Sequence, residues 1–345
     1  MTALGFRLLN DFQRDFPLVR EPYALLAAML DVREDDVLEG LARLRSSGAV
    51  SRVGAVFRPG AIGASTLAAM AVPPERLDCV ATLVSRFREV NHNYEREHRF
   101  NLWFVAAAAD DDALAALLDR IERTTGLAVL ALPLLEEYHI DLGFGMDRAP
   151  RTAPDRRATP LTPTLSPKLG GEGEPRAPKR VALDAAERRL VAALEDGLDL
   201  VTRPYAALAA RAGWDELGAI DRLARWQAEG VIRRLGVVVR HHELGYRANA
   251  MTVWNVPNDI APGFGRALAA SAGVTLAYRR ARHLPEWPYN LYCMLHGTDR
   301  ERVAERIDSL TRGLGLDAFP RAVLFSRTRF KQTGARVASL EAAHG

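Results

Sequence analysis

Arg52-Val53-Gly54-Ala55-Val56-Phe57-Arg58 has a counterpart far along the same chain, Arg234-Leu235-Gly236-Val237-Val238-Val239-Arg240. Working outward, the match continues in order. Upstream, REPYALLAAML (20–30) answers TRPYAALAARAG (202–213). Downstream, Gly63 answers Gly245, and Val90-Asn91-His92-Asn93-Tyr94-Glu95-Arg96 answers Val274-Thr275-Leu276-Ala277-Tyr278-Arg279-Arg280. Phe100-Asn101-Leu102-Trp103 then answers Tyr289-Asn290-Leu291-Tyr292. An ordered repeat of this kind predicts a tandem duplication, with pseudo-twofold packing and a cavity where the halves meet.

The copies are separated by residues 146–182, MDRAPRTAPDRRATPLTPTLSPKLGGEGEPRAPKRVA, rich in Pro, Gly, Thr and basic residues. That composition cannot bury enough apolar surface to offset ordering entropy, so it reads as a disordered tether. The remainder divides into winged-helix domains at 1–60 and 183–246 and ferredoxin-like domains at 61–145 and 247–335. In the first half, Val37, Leu38, Leu41 and Leu44 recur at helical spacing, with Gly48 as a stop. Strands follow around Val50–Phe57, with a turn at Pro59-Gly60, so three helices and a hairpin are expected. The next pattern is a strand (66–72), a helix (74–88), an alternating strand (99–107), a helix with an acidic first turn (110–125) and a strand (128–140). With a further strand ahead of the alternating one this is βαββαβ, and the second half repeats it from Ala248 to Arg327. The expected class is α+β.

Length 345, hydrophobic content 48% and charged content 26% suit a soluble globular chain of several domains. A net charge of +3 is weak support for a nucleic-acid partner. Cys79 and Cys293 lie far apart without metal spacing, which suits a reducing cytoplasm and two core positions. The N-terminus has charges where a signal peptide needs an apolar run, and no stretch approaches a membrane span.

Winged helix plus ferredoxin-like domain resembles the Lrp/AsnC architecture, shared by transcription regulators and by sirohaem decarboxylases. The motifs NHNYEREHRFNLWF (91–104) and EEYHIDLGF (136–144) resemble one decarboxylase subunit, and AYRR (277–280) with EWPYNLYCMLHG (286–297) the other. The chain is therefore identified as resembling the fused sirohaem decarboxylases of the haem d1 pathway. The resemblance implies removal of carbon dioxide from two acetate side chains of sirohaem. It implies no cofactor beyond that iron tetrapyrrole, no separate metal site, halves packed as a pseudo-heterodimer, and compatibility with a homo-oligomer.

The residues fit such chemistry. A polycarboxylate macrocycle needs guanidinium forks and flat apolar walls. Arg96, Arg99, Arg279, Arg280 and Arg282 supply the first; Tyr94, Phe100, Trp103, Tyr278, Trp287 and Tyr289 supply the second. A proton must reach each new methyl group, and His92 and His98, read as flanking a short hairpin, are the candidate donors or orienting groups. Arg240, His241 and His296 are further candidates for substrate contact, each with a solvated or strand-end position as the simpler account. His139 reads equally as a structural strand histidine or a functional one, and His283, in a loop longer than its counterpart, is a candidate substitute for a histidine absent at Leu276. Leu276 stands where the resemblance implies a histidine, so the two copies share an architecture without sharing a role.

Two other functions compete. A DNA-binding regulator needs basic residues opening each recognition helix, yet Arg33-Glu34-Asp35-Asp36 and Trp214-Asp215-Glu216 place carboxylates there, which disfavours DNA. A tetrapyrrole carrier would have the same fold and pocket without turnover.

Overall fold

The computed structural model describes residues 2–140, 180–240 and 248–337. Residues 146–179 of the expected tether, together with His241 and Gly245, lie outside the described residues.

Each half opens with three helices: α1 (Ala3–Asp11), α2 (Pro22–Leu30) and α3 (Glu34–Ser46) in the first, α6 (Ala185–Glu195), α7 (Pro204–Ala212) and α8 (Glu216–Ala228) in the second. The PY motif starts α2 and α7 alike, because proline at the first helical position gives up an N–H that would be unpaired anyway. Both helices end on a left-handed residue, Asp31 and Gly213. The tyrosine of each motif crosses to the other half: Tyr23 Oη donates to Asp199 O at 3.1 Å and Tyr205 Oη to Pro17 O at 2.8 Å. One apolar core runs through both helical units.

Among the described residues the expected hairpins do not form. β1 (Val50–Phe57) and β6 (Ile232–Val239) pair antiparallel with each other, with Gly54 opposite Gly236, Val53 opposite Val237 and Ala55 opposite Leu235. The turn at Pro59-Gly60 leads to no partner strand of its own half, and an unpaired strand edge takes the nearest equivalent edge. That edge belongs to the other copy, and the register is symmetric about the two glycines. Gly236 is needed because a Cβ there would lie 2.4 Å from Gln13 O.

The ferredoxin-like halves follow the expected order. The first has β2 (Ala64–Met70), α4 (Leu77–Arg86), β3 (Val90–Arg96), β4 (Leu102–Ala108), α5 (Asp111–Thr125) and β5 (Leu130–Ile140). The second has β7 (Ala248–Trp254), α9 (Ala261–Ala270), β8 (Val274–Arg280), β9 (Leu291–Gly297), α10 (Arg300–Gly313) and β10 (Arg321–Gln332). The sheets do not remain separate. β5 pairs with β8 and β10 with β3, closing an eight-stranded barrel in the order β10-β3-β4-β2-β5-β8-β9-β7.

Alternation along the strands divides the side chains between two cores. On β4, Leu102, Phe104 and Ala106 pack under the helices, while Trp103 and Val105 point inward. On β9, Leu291, Cys293 and Leu295 pack under helices, while Tyr292 and Met294 point inward. Cys293 is a core residue as expected, but Cys79 is exposed, since α4 turns Val80, Ala81 and Val84 toward the sheet instead.

Candidate active site

The first and second halves present equivalent faces to the barrel interior, through β3 and β8. On β3, Asn93 turns outward and donates to Ala81 O and Ser85 Oγ of α4, both at 3.0 Å. The period of two therefore sends His92, Tyr94 and Arg96 inward. On β8, Ala277 packs outward, while Leu276 and Tyr278 join the interior cluster. Arg280 follows them and stacks on the Tyr278 ring at 4.7 Å, as Arg96 lies over Tyr94 at 5.9 Å.

The two arginines reach across the pseudo-twofold axis. Arg96 Nη1 donates to Leu324 O on β10 at 3.1 Å, and Arg280 Nη1 to Leu132 O on β5 at 2.8 Å. Arg96 also approaches Met294 Sδ, at 3.9 Å. Among the described residues neither forms an ion pair, and the buried Nε of Arg280 has no partner. Burial pulls the Arg96 guanidinium below its ordinary pKa, yet an arginine keeps its charge. The buried Arg96 and the half-buried Arg280 are held by neutral acceptors, and cations so placed favour an anionic ligand.

Arg279 points to the opposite face. Its Nε lies 3.4 Å from Glu136, whose carboxylate also accepts from Tyr138 Oη. Arg282 is spent on the loops after β7 and before β9: it donates to Asn255 Oδ1, Val256 O, Asn258 Oδ1 and Pro288 O. The sequence-level arginine cluster thus splits three ways, and only Arg280 enters the barrel.

The two candidate histidines are not brought together. His92 lies within β3 opposite Gln332, not beside the turn, whereas His98 lies in the β3–β4 turn itself. Four residues of strand, about 13 Å, run from His92 to the end of β3 at Arg96 before the turn that carries His98. His92 Nδ1 sits 2.5 Å from Asn91 Oδ1, an acceptor, so Nδ1 carries the proton of the neutral ring. Burial, and then the nearby charge of Arg52, push its pKa down to about 4. His98 is arranged the other way. Its Nδ1 accepts from the Phe100 N–H at 3.0 Å, which leaves the proton on Nε2. Partial burial and then Arg99 hold its pKa below the ordinary value.

His296, at the end of β9, also has its pKa pushed down to about 4 by burial and then by Arg96. Thr275 Oγ1 donates to Met294 O, so it accepts from His296 Nδ1 at 2.9 Å.

Beyond Arg96, an aromatic group closes the barrel end that holds the β3–β4 turn. Trp287, from the longer β8–β9 loop, packs on His98, Phe100, Trp103 and Tyr289 with ring centroids 5.0–5.9 Å away. Asn101 and Asn290 brace this end alike, each pairing through its amide with the backbone N–H and C=O of Val72 or Val256. The Asn-Leu-aromatic motif is therefore structural at its first residue. Arg99 is exposed, with its guanidinium 5.3 Å from the Phe100 ring. Among the described residues the buried Nε of Arg240, just after β6, has no partner. His139 lies on β5 opposite Ala277, and His283 is an exposed loop residue against Glu286.

Sequence reading missed Tyr292 and Arg52. Tyr292 is fully buried, stacks on Tyr278 at 5.4 Å and accepts from Trp287 Nε1; its equivalence to Trp103 in the repeat was the available signal. Arg52 comes from β1, and only the tertiary fold brings its charge near His92. Two surface clefts, of about 340 Å³ against α10 and β10 and about 130 Å³ at the start of α10, touch neither His92 nor His98. Among the described residues no group of His, Cys, Asp and Glu could hold a metal ion, and no helix is long and apolar enough to cross a membrane.

Comparison with known proteins agrees with this architecture. A family model described as "Siroheme decarboxylase NirDL-like HTH domain" matches residues 6–50 and 187–233, and one described as "AsnC-like ligand binding domain" matches 61–139 and 243–331. A "Siroheme decarboxylase NirDL subunit" of Paracoccus pantotrophus is 41% identical over 343 residues, covering 99% of each chain. A "Siroheme decarboxylase" of Hydrogenobacter thermophilus is 30% identical over 331 residues, 94% of this chain and 92% of its own. A separate "Siroheme decarboxylase NirD subunit" of Pseudomonas aeruginosa is 51% identical over 147 residues, 43% of this chain and 98% of its own. Crystal structures of a siroheme decarboxylase NirDL, one in complex with an iron-uroporphyrin III analogue, superpose with a TM-score of 0.66 at 27% identity, covering 98% of this chain and 94% of theirs.

Proposed function

The chain belongs to the siroheme decarboxylase family, and we propose that it removes the carboxyl groups of two acetate side chains of sirohaem as carbon dioxide, leaving methyl groups, on the route to haem d1. The observation that carries this reading within the fold is the pair Arg96 and Arg280. Arg96 is buried and Arg280 half-buried; both are charged, both donate to backbone carbonyl oxygens, and they come from different halves. Carboxylates of one polyanionic ligand satisfy both.

At each acetate the bond to the carboxylate carbon breaks, its electron pair passes to the methylene carbon and the conjugated ring, and carbon dioxide leaves. A proton then completes the methyl group. The macrocycle is its own electron sink, so the proposal names no further cofactor. Of the candidate donors, His92 fits poorly. With a pKa of about 4, roughly one molecule in a thousand carries the extra proton at pH 7. His98 presents its Nε2 proton beside the cationic Arg99. A scissile acetate accepting from Nε2 raises the His98 pKa, since an opposite charge favours the imidazolium. Orientation and proton delivery then fall to the same ring.

The halves act as a covalent pseudo-heterodimer around one shared ligand, supported by the crossed Arg96 and Arg280 contacts. The exposed Cys79 and unpaired Cys293 support a reducing, cytoplasmic setting. Operator binding is disfavoured because α3 opens with Glu34, Asp35 and Asp36, and Glu216 at the start of α8 already holds Arg20 and Arg203.

Anaerobic incubation of the purified chain with sirohaem, followed by product mass, tests the reading. Two successive losses of carbon dioxide are expected. Bound but unchanged pigment would make the protein a carrier, and tight, salt-sensitive DNA binding without pigment binding would make it a regulator.

A further inference from the structure

Trp287 belongs to the second half, yet its ring is packed against groups of the first. It is fully buried. Its ring stands edge-on to His98 at 83°, with centroids 5.2 Å apart, and it also touches Phe100 and Trp103. Three constraints fix it. Its backbone N–H donates to His283 O at 2.6 Å, and its carbonyl accepts from the His283 N–H at 2.9 Å. Its Nε1–H donates to Tyr292 Oη at 2.7 Å. Tyr292 in turn is fully buried and stacked on Tyr278.

The His98 ring needs such support. Its torsion about the Cβ–Cγ bond is broad and roughly two-fold, so a half-turn would exchange Nδ1 for carbon and break the hydrogen bond from Phe100. Phe100 stacks along one face at 6.1 Å but leaves the rotation open. The perpendicular indole of Trp287 blocks it. The first half has no counterpart of Trp287, since its turn between β3 and β4 is shorter than the second half's loop.

We propose that Trp287, anchored by Tyr292, is a positioning residue supplied by the second half that fixes the orientation of His98 in the first. This rests on the decarboxylase reading of His98. It assigns the longer loop a task and explains how a half lacking its own histidine at Leu276 still serves the reaction. It also makes the His98 site incomplete without the second half.

The test uses the full chain in three variants, Trp287→Leu, Trp287→Phe and Tyr292→Phe. Each is measured for kcat and KM with sirohaem and for His98 titration by nitrogen NMR, with His98→Gln assigning the signal. Trp287→Leu is expected to lower kcat by about tenfold or more with KM changed less than about twofold, the signature of lost orientation. Its His98 loses the Nδ1-acceptor shift and titrates nearer the ordinary histidine value, because water replaces the indole. Trp287→Phe restores part of kcat, and Tyr292→Phe, which removes only an oxygen, gives a smaller loss in the same direction. Folded Trp287→Phe and Tyr292→Phe proteins with unchanged kcat and unchanged His98 titration would overturn the proposal. If wild type releases no carbon dioxide, the decarboxylase reading fails, while the NMR comparison still decides whether Trp287 orients His98.

Discussion

A guanidinium buried against carbonyl oxygens costs desolvation that no carboxylate returns, so Arg96 is a burden on stability that function must justify. Arg96→Met is therefore expected to leave the melting temperature unchanged or raise it, while sirohaem affinity falls; calorimetry and titration on one preparation check both. Two half-buried histidines carry a pH signature. His92 and His296 have folded pKa values near 4, below the ordinary 6.5, so the folded state prefers them neutral. Their contribution is fully present above pH 6.5 and is lost as pH falls toward 4, about 3 kcal/mol each at most. The double variant His92→Asn, His296→Gln should flatten the fall in melting temperature over that window, and an equally steep fall would contradict the assignment. Residue types were legible before the fold was known: Tyr94, Arg96, Tyr278 and Arg280 all face the interior. Directions were less so, because Arg279 and Arg280 differ only by the parity of a strand, and a bulge at the start of β8 resets that parity.

The elements themselves followed from local signals. Proline at the start of α2 and α7, the αL residues that end them, and the acidic first turn of α5 lie where the residues place them. The wing did not. Periodicity says that Val50–Phe57 is a strand, but not which strand completes it, and the answer lay in the other copy. Gly236 marks that crossing. Gly236→Ala forces a methyl group against Gln13 O and should cost about 1–3 kcal/mol, read as a clear drop in melting temperature. The brace at the far end of the barrel makes a similar point. Asn101→Ala strands the N–H and C=O of Val72, so it should destabilise by about 1–3 kcal/mol, and Asn290→Ala should match it through Val256. A large difference between the two would mean that the halves do not share this device.

At the scale of the whole molecule, the repeat announced two similar halves, and their order along the chain announced the ferredoxin-like units. Barrel closure was not legible, because β5–β8 and β10–β3 are contacts between copies that no local pattern encodes. Those pairings, with the single core of the helical units, bind the halves without any residue of 146–179. Residues 1–145 and 180–345 co-expressed as two chains should therefore co-purify and retain turnover, as the separate NirD subunit of Pseudomonas aeruginosa already hints by matching 43% of this chain.

Binding stoichiometry tests most directly the proposal that Arg96 and Arg280 form one site from two halves. Anaerobic titration of wild type, Arg96→Gln and Arg280→Gln with sirohaem should give one pigment per chain, with each single variant weakening that whole binding event by about tenfold or more. Two pigments per wild-type chain, with each variant losing one and keeping the other at full affinity, would contradict a shared site and leave two separate ones.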